Sequence, residues 1–130
     1  MRKHTFSKEE RLKSHKEIGL LFGGKADSFA HYPLRLVWRL TDERRGPAPV
    51  QFTVSVPKKK FKKAAHRNVL RRRVREAWRQ NKYLLLDQLT PEHSQYAWII
   101  LYTGQEAFDY DEIEKSMRKI IHRFIKQQHL

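Results

Sequence analysis

Seven consecutive apolar residues near the carboxyl end of the chain place the strongest constraint on how it can fold. Residues 96–102, YAWIILY, contain no charged side chain, so a strand formed there is expected to be covered on both faces. Two earlier runs, residues 34–40 and 50–56, largely alternate apolar with polar side chains, which is typical of strands with one buried face. We expect these two runs to pair antiparallel, in a sheet that helices cover.

Three helices are predicted from apolar residues at three- and four-residue spacing. The first covers residues 14–22 and ends at Gly23 and Gly24, the second runs over about 64–85, and the third over 110–126. No repeat, linker or low-complexity tract divides the 130 residues. We therefore predict a single α+β domain over residues 1–130.

The chain has no cysteine and no long apolar run. The missing thiols exclude disulfides, thiolate metal sites and cysteine nucleophiles. A membrane-spanning helix needs about 20 mostly apolar residues, and the amino terminus lacks the apolar stretch of a secretory signal. These features predict a soluble, cytoplasmic protein with no membrane partner.

Positive charge is concentrated in one short segment. Residues 58–82 contain twelve lysines and arginines and one acidic residue, Glu76, which amounts to +11 of the net charge of +14. A merely solvated helix usually mixes charges of both signs, whereas a concentration of one sign attracts a polyanion. Nucleic acid is the leading candidate partner, ahead of an anionic membrane surface.

This charge lies on one face of the second predicted helix. At about 100° per residue, the buried stripe consists of Leu70, Val74, Ala77, Trp78 and Asn81. The opposite face holds Asn68, Arg71, Arg72, Arg75, Arg79 and Lys82, with Arg67 at its border. Arginine can grip two phosphate oxygens at once and can stack on bases, so this face is a candidate RNA-binding surface. Its one amide is either a hydrogen-bonding group for RNA or a local cap.

The order of motifs around this helix resembles the bacterial ribonuclease P protein component. That family has a strand followed by two lysines, a basic turn and a helix with an Arg-Asn-Arg triplet. This chain has VSVPKK at 54–59 and FKKAAHRNVLRRRVREAW at 61–78, and RLKSHKEIGLLF at 11–22 is similar to the first helix of the family. Two positions depart from the pattern: Val69 replaces the third residue of the triplet, and residues 103–106, TGQE, replace a usually basic loop.

The resemblance implies a fold and a function. The fold is an α/β sandwich of the αβββαβα type (ribosomal protein S5 domain 2-like), with a small mixed sheet and a left-handed crossover around the basic helix. Since the pattern alone identifies three strands, a fourth is expected to be short. The implied function is that of the protein subunit of ribonuclease P, which assists a catalytic RNA in removing the 5′ leader from precursor tRNA.

The resemblance also implies where the chemistry resides. The RNA is expected to cleave with Mg²⁺ that it holds mainly by itself, so no catalytic residue, metal site or protein-bound cofactor is expected in this chain. The expected partners are the catalytic RNA and precursor tRNA, without an obligate protein partner. Carried over by position, the contacts to the catalytic RNA are Arg67, Asn68, Arg71, Arg72 and Arg75. The contacts to the leader are Ile18, Phe22, Trp38, Ser55, Lys58 and Lys59, although Phe22 and Trp38 also fit apolar core positions.

Two other function classes remain open from the residues alone. A self-sufficient metal nuclease would need the acidic cluster of Asp109, Asp111 and Glu112, which the start of the third helix also explains. A non-catalytic basic RNA-binding module, such as a ribosomal protein or an RNA chaperone, fits the charge and the fold class equally well. The seven histidines show no paired spacing suited to zinc.

Overall fold

A computed structural model describes residues 5–24, 26–90 and 94–130 of the chain. A 3-10 turn at Lys8–Glu10 comes first. The remaining elements are α1 His15–Phe22, β1 Asp27–His31, β2 Leu34–Leu40, β3 Val50–Ser55, α2 Ala64–Asn81, α3 Tyr83–Leu86, β4 Tyr96–Tyr102 and α4 Tyr110–Gln127. The predicted strands and helices are all present, and β1, with five residues, is the short fourth strand. No helix in the described ranges is long and apolar enough to cross a membrane.

The four strands form one mixed sheet in the order β1-β2-β4-β3. Strand β4 pairs antiparallel with β2 and parallel with β3, so that Trp98 lies opposite both Trp38 and Phe52. The predicted antiparallel pairing of β2 with β3 is therefore wrong, because β4 is inserted between them. The continuous apolar sequence of β4 suits this central place, since all but one of its residues are buried.

Helices α2 and α4 cover one face of the sheet and form the main core with it. The rings of Phe52 and Trp78 stack at a centroid distance of 5.0 Å and an interplanar angle of 2°. Trp98 contacts the rings of both Trp78 and Phe124, at 5.0 and 4.9 Å. This packing buries the predicted stripe of α2 apart from the half-buried Asn81. The opposite face of α2 is consequently turned away from the sheet.

Helix α1 covers the other face of the sheet only in part. Its residues Ile18 and Leu21 pack on a small apolar cluster that includes Val37, Ala97 and Ile99. The Ser14 side chain accepts a hydrogen bond from the Glu17 N–H, and the helix ends at Gly23, as predicted. The next residue, Gly24, has a φ of +81°, a conformation that glycine adopts at little cost.

Helix α2 ends at Asn81, earlier than predicted, and the four-residue α3 follows it. The prediction that Lys82 belongs to the exposed basic face is wrong, because its side chain is 2% exposed. The Lys82 ammonium group donates to Glu10 Oε1 at 2.5 Å and to the carbonyl oxygen of Thr5. Lys82, the first residue after the 18-residue helix, thus anchors the amino-terminal segment instead of meeting solvent.

Candidate nucleic-acid interface

The exposed side of α2 presents a row of polar and basic side chains that we call the α2 ridge: Asn68, Arg71, Arg72 and Arg75. Three of them are exposed, and Arg71 is half-buried. The ridge exists because the apolar residues of the same helix are spaced at three and four positions and fix its other side in the core. A polyanion would therefore meet several guanidinium groups on a rigid helix.

Asn68 and Arg71 are held together within the ridge. The Arg71 Nη1 group donates to Asn68 Oδ1 at 2.9 Å. The Asn68 oxygen therefore makes a local hydrogen bond, one of the two roles that the sequence allowed. The Asn68 NH₂ group remains able to donate to another acceptor. The pair presents donors from both residues on one turn of the helix.

Arg67 is placed differently from the ridge. Its Nη1 group donates to the carbonyl oxygens of Phe61 and Lys62, at 2.8 and 2.9 Å. These bonds fasten the basic turn to the first turn of α2, while Phe61 itself is buried. Part of the Arg67 guanidinium is therefore already used by the protein backbone.

The cationic surface continues from the ridge onto the amino-terminal segment. A pocket of about 320 Å³ separates this segment from β3 and α2, and its lining includes Arg11, Lys13 and Arg75. Partial desolvation of the Arg75 guanidinium beside this pocket, followed by repulsion from Arg71 and Arg11, lowers the pKa of Arg75 below its usual value, although the residue as a whole is exposed. Sequence reasoning missed Arg11 and Lys13 as part of this surface, although two basic residues within RLK were a signal for them.

Glu76 neutralises one arginine of the predicted basic face. The Arg79 guanidinium donates to both carboxylate oxygens of Glu76, at 2.9 and 2.5 Å. Hydrogen bonds from Arg79 and then from Gln80 lower the pKa of Glu76 to about 2. Arg79 consequently contributes less to an anion-binding surface than its place in the sequence indicates.

Five of the six predicted leader contacts lie on α1 or at and after the end of β3. Ser55 is half-buried at the end of β3, and Lys58 and Lys59 are exposed in the turn that follows it. On α1, Ile18 is half-buried and Phe22 is 57% exposed. We call this arrangement the α1 cleft: α1 forms one wall, and the half-buried Thr53, Ser55 and Leu101 lie on its floor.

Trp38 lies on the opposite side of the sheet from the α1 cleft. It is 3% exposed and packs edge to face against Phe29 and Phe124, beneath α4. The neighbouring Val37 faces α1 instead, because successive side chains of a strand point to opposite faces. The structure therefore leaves the Trp38 ring with almost no surface for stacking on RNA, and places Val37 beside α1.

Asp109, the acidic residue just before α4, has a structural role. The Asp109 carboxylate accepts a hydrogen bond from the Glu112 N–H at 3.0 Å and so caps the helix. Within residues 5–24, 26–90 and 94–130, no group of three or more His, Asp and Glu side chains is arranged to hold a metal ion. The cluster that a metal nuclease would require is thus not assembled in this part of the chain.

Sequence comparison finds similarity over nearly the whole chain. A family model described as Ribonuclease P matches residues 6–125. A ribonuclease P protein component from Porphyromonas gingivalis is 45% identical over 119 residues, which are 90% of this chain and 84% of the relative. Another, from Rippkaea orientalis, is 37% identical over 73 residues, covering 55% of this chain and 57% of the relative.

Solved structures show the same fold at low sequence identity. The RNase P protein of Staphylococcus aureus superposes with a TM-score of 0.68 and 18% identity, over 92% of this chain and 97% of that one. The RNase P protein of Thermotoga maritima gives a TM-score of 0.67 and 20% identity, over 88% and 96%. The mixed sheet with its covering helices is therefore an arrangement that distant sequences share.

Proposed function

The chain belongs to the ribonuclease P protein family, and from that premise we propose that it binds RNA through two surfaces. As a protein component of ribonuclease P, it is one part of a ribonucleoprotein. In our proposal the α2 ridge binds the catalytic RNA, and the α1 cleft binds the 5′ leader of precursor tRNA. The protein acts in the cytoplasm and needs no obligate protein partner.

The observation that carries this proposal is the exposed α2 ridge on a helix whose other face is locked in the core. Guanidinium groups grip phosphate oxygens with a pair of parallel hydrogen bonds, and a rigid helix keeps them at fixed spacing. Arg71, Arg72 and Arg75 are the principal phosphate contacts. Arg67 supports them by fixing the basic turn, and Asn68 adds an amide donor.

The α1 cleft has the features that a single strand of RNA requires. Single-stranded nucleic acid binds where aromatic or apolar platforms for bases adjoin cations that follow the backbone. Phe22 and Ile18 supply the platforms, and Ser55, Lys58 and Lys59 supply the polar and cationic groups. Because the Trp38 ring is buried, we do not include it in the proposed leader contacts.

We assign the cleavage step to the catalytic RNA and its Mg²⁺ ions. The Asp109 carboxylate caps α4, so the acidic cluster that a metal nuclease would use already has a structural explanation at this residue. The chain then acts by positioning substrate and by offsetting repulsion between two RNAs, with Mg²⁺ held mainly by the RNA.

The test is cleavage of a precursor tRNA at low Mg²⁺ concentration by a bacterial ribonuclease P RNA, with and without this protein. We expect the RNA alone to cleave poorly and the protein to restore cleavage at the mature 5′ end. The holoenzyme should also bind precursor tRNA more tightly than mature tRNA, because only the precursor has a leader.

Two results would contradict the proposal. Cleavage by the protein without RNA would identify a nuclease, and Asp109, Asp111 and Glu112 would then be the first residues to change. Binding of the cognate RNA without any effect on cleavage would identify a non-catalytic RNA-binding module.

A further inference from the structure

We propose that Glu17 is a positioning residue that fixes α1 on the sheet and thereby sets the geometry of the α1 cleft. This inference rests on the proposed leader-binding function. Glu17 does not touch the cleft surface itself, since its side chain is only 1% exposed. It acts through the helix to which it belongs, whose later residues form the wall of the cleft.

A carboxylate buried this deeply needs charged partners, and Glu17 has them. The Arg39 Nη1 group of β2 donates to Glu17 Oε1 at 2.8 Å and to Oε2 at 2.7 Å. The Arg45 Nη1 atom lies 4.0 Å from Oε2. Glu17 thus joins α1 to β2 and to the segment between β2 and β3.

The segment that holds Arg45 is itself fixed by two buried amides. Gln95 accepts the Arg45 N–H at 2.9 Å and donates to the carbonyl oxygens of Arg45 and Ala48, at 3.0 and 2.8 Å. Gln51 also donates to the Arg45 carbonyl oxygen, at 3.0 Å. The partners of Glu17 therefore do not depend on a loosely held loop.

The apolar contact of α1 with the sheet is too small to define the position of the helix by itself. The helix has eight residues, and Leu21 is its one fully buried apolar side chain, with Ile18 half-buried. Apolar contact has no preferred direction, whereas a carboxylate held by a guanidinium has one geometry. A buried ion pair often adds little net stability but can specify how elements pack, and that is the role we assign here.

This position of the ion pair has a consequence for the leader. Glu17 lies in the first turn of α1, and Phe22 lies at the end of the same helix. Any tilt of α1 about its first turn would move Phe22 relative to Ser55 on the floor of the cleft. Loss of the carboxylate should therefore weaken leader binding without touching a leader contact.

The experiment compares the affinity of the holoenzyme for precursor tRNA with its affinity for mature tRNA. We expect Glu17→Gln to reduce this leader-dependent ratio by about fivefold or more, the equivalent of one base-stacking contact. Affinity of the protein for the catalytic RNA should not fall, because the α2 ridge is on the other side of the sheet. The substitution removes a negative charge, so a general electrostatic effect would strengthen RNA binding and act in the opposite direction.

Asp42→Asn is the matched control. Asp42 contacts the same arginine, at 3.1 Å from Nη2, but its side chain is 73% exposed and it lies outside α1. This variant makes the same charge change and should leave the ratio unaltered. Arg39→Lys is the second variant: it keeps the charge but replaces the planar guanidinium, whose Nη1 group binds Glu17 and whose Nη2 group binds Asp42, by a single ammonium group, and it should lower the ratio as Glu17→Gln does.

The outcomes separate this inference from the function on which it rests. If the unaltered holoenzyme does not distinguish precursor from mature tRNA, leader binding by the proposed cleft is refuted. If it distinguishes them and folded Glu17→Gln and Arg39→Lys proteins do so equally well, the positioning role is refuted. Thermal unfolding of each variant establishes whether it is folded at the assay temperature.

Discussion

The arginines of α2 differ in what their guanidinium groups already bind. Arg67 donates to two backbone carbonyls, and Arg79 is paired with Glu76, while Arg72 is exposed. Arginines in one basic segment thus differ: Arg67 binds the backbone, Arg79 is neutralised by a carboxylate, and Arg72 is exposed to a partner. The number of positive charges in the segment therefore overstates how many of its arginines can bind phosphate.

The ion pair of Glu76 predicts a pH dependence. Its pKa of about 2 in the folded protein lies below the ordinary value of 4.5, so its contribution to stability is present above pH 4.5. That contribution is lost as the pH falls from 4.5 towards 2, because the carboxylate becomes protonated. Glu76→Gln should therefore lower the melting temperature at pH 6 and have little effect near pH 2.

The effect should be modest, at most about 1 kcal/mol, because exposed ion pairs are screened by water. The Glu76 side chain is 40% exposed. Thermal unfolding followed by circular dichroism at both pH values provides the measurement, with Glu43→Gln in an exposed loop as control. An equal loss at both pH values would show that the ionised carboxylate is not the cause.

At the scale of elements, the amino-terminal segment is attached to the basic helix by a buried ion pair. Lys82 is 2% exposed and Glu10 is 15% exposed, and their side chains meet at 2.5 Å. The same carboxylate accepts hydrogen bonds from the N–H and hydroxyl of Ser7. This one contact therefore connects the turn at Lys8–Glu10 with the end of α2.

Removal of Glu10 should destabilise the protein. Glu10→Ala would leave the Lys82 ammonium buried without its carboxylate, which costs about 3 kcal/mol in comparable buried pairs. The free energy of unfolding, measured by urea titration, should fall by this order. Glu9→Ala removes an exposed carboxylate from the same turn and should have little effect. Equal free energies of unfolding for Glu10→Ala and Glu9→Ala would show that the Lys82–Glu10 ion pair does not hold the amino-terminal segment.

Local sequence patterns predicted the strands and helices well, but they did not predict which strands lie side by side in the sheet. The periodicity of residues 34–40, 50–56 and 96–102 predicted three strands, since one or both faces of each had to be apolar. The antiparallel pairing of β2 with β3 was wrong because pairing depends on which strand fills the gap between them, which local periodicity does not encode. Strand β1 has one fully buried residue, Phe29, so its pattern was too weak to identify.

Features of the candidate site that follow from local periodicity could be predicted from the sequence, whereas those that depend on distant contacts could not. Residues of the ridge share a helix face, and the 3.6-residue period shows this directly. Their exposure follows that period for Asn68, Arg72 and Arg75, whereas the burial of Lys82 depends on a residue 72 positions away. The position of Trp38 on the α4 side and Val37 on the α1 side required knowledge of which helix covers which face.

In the whole molecule, the sheet and helix α2 together separate the two candidate surfaces. The α2 ridge lies with the helix layer on one side, and the α1 cleft lies on the other. Cations line the edge between them, where Arg11 and Lys13 border the same pocket as Arg75. In our proposal, one small domain therefore contacts two RNA segments at once without competition between the surfaces.

This distribution of charge predicts the salt dependence of binding to the catalytic RNA. About five phosphate contacts, by Arg71, Arg72, Arg75, Arg11 and Lys13, give a log–log slope on the order of −4, at roughly 0.7 to 0.9 per contact. Arg72→Ala should reduce the steepness by about 0.7 to 0.9. The measurement is a binding titration at several salt concentrations.

Lys119→Ala is the matched control for this titration, because it removes an exposed cation from α4 instead of α2. It should leave the slope nearly unchanged. A slope near zero for the unaltered protein would contradict electrostatic binding by the ridge. If Lys119→Ala changed the slope as much as Arg72→Ala does, the RNA would not bind specifically at the α2 ridge.

The insertion of β4 between β2 and β3 also orders events during synthesis of the chain. The ribosome releases β1 and β2 as a hairpin and then β3, but the strand that joins them is made after α2. Until residues 96–102 emerge, the inner edges of β2 and β3 have no partner in the sheet, and unpaired edges promote aggregation. The nascent protein consequently completes its sheet only after the arginine helix has left the ribosome.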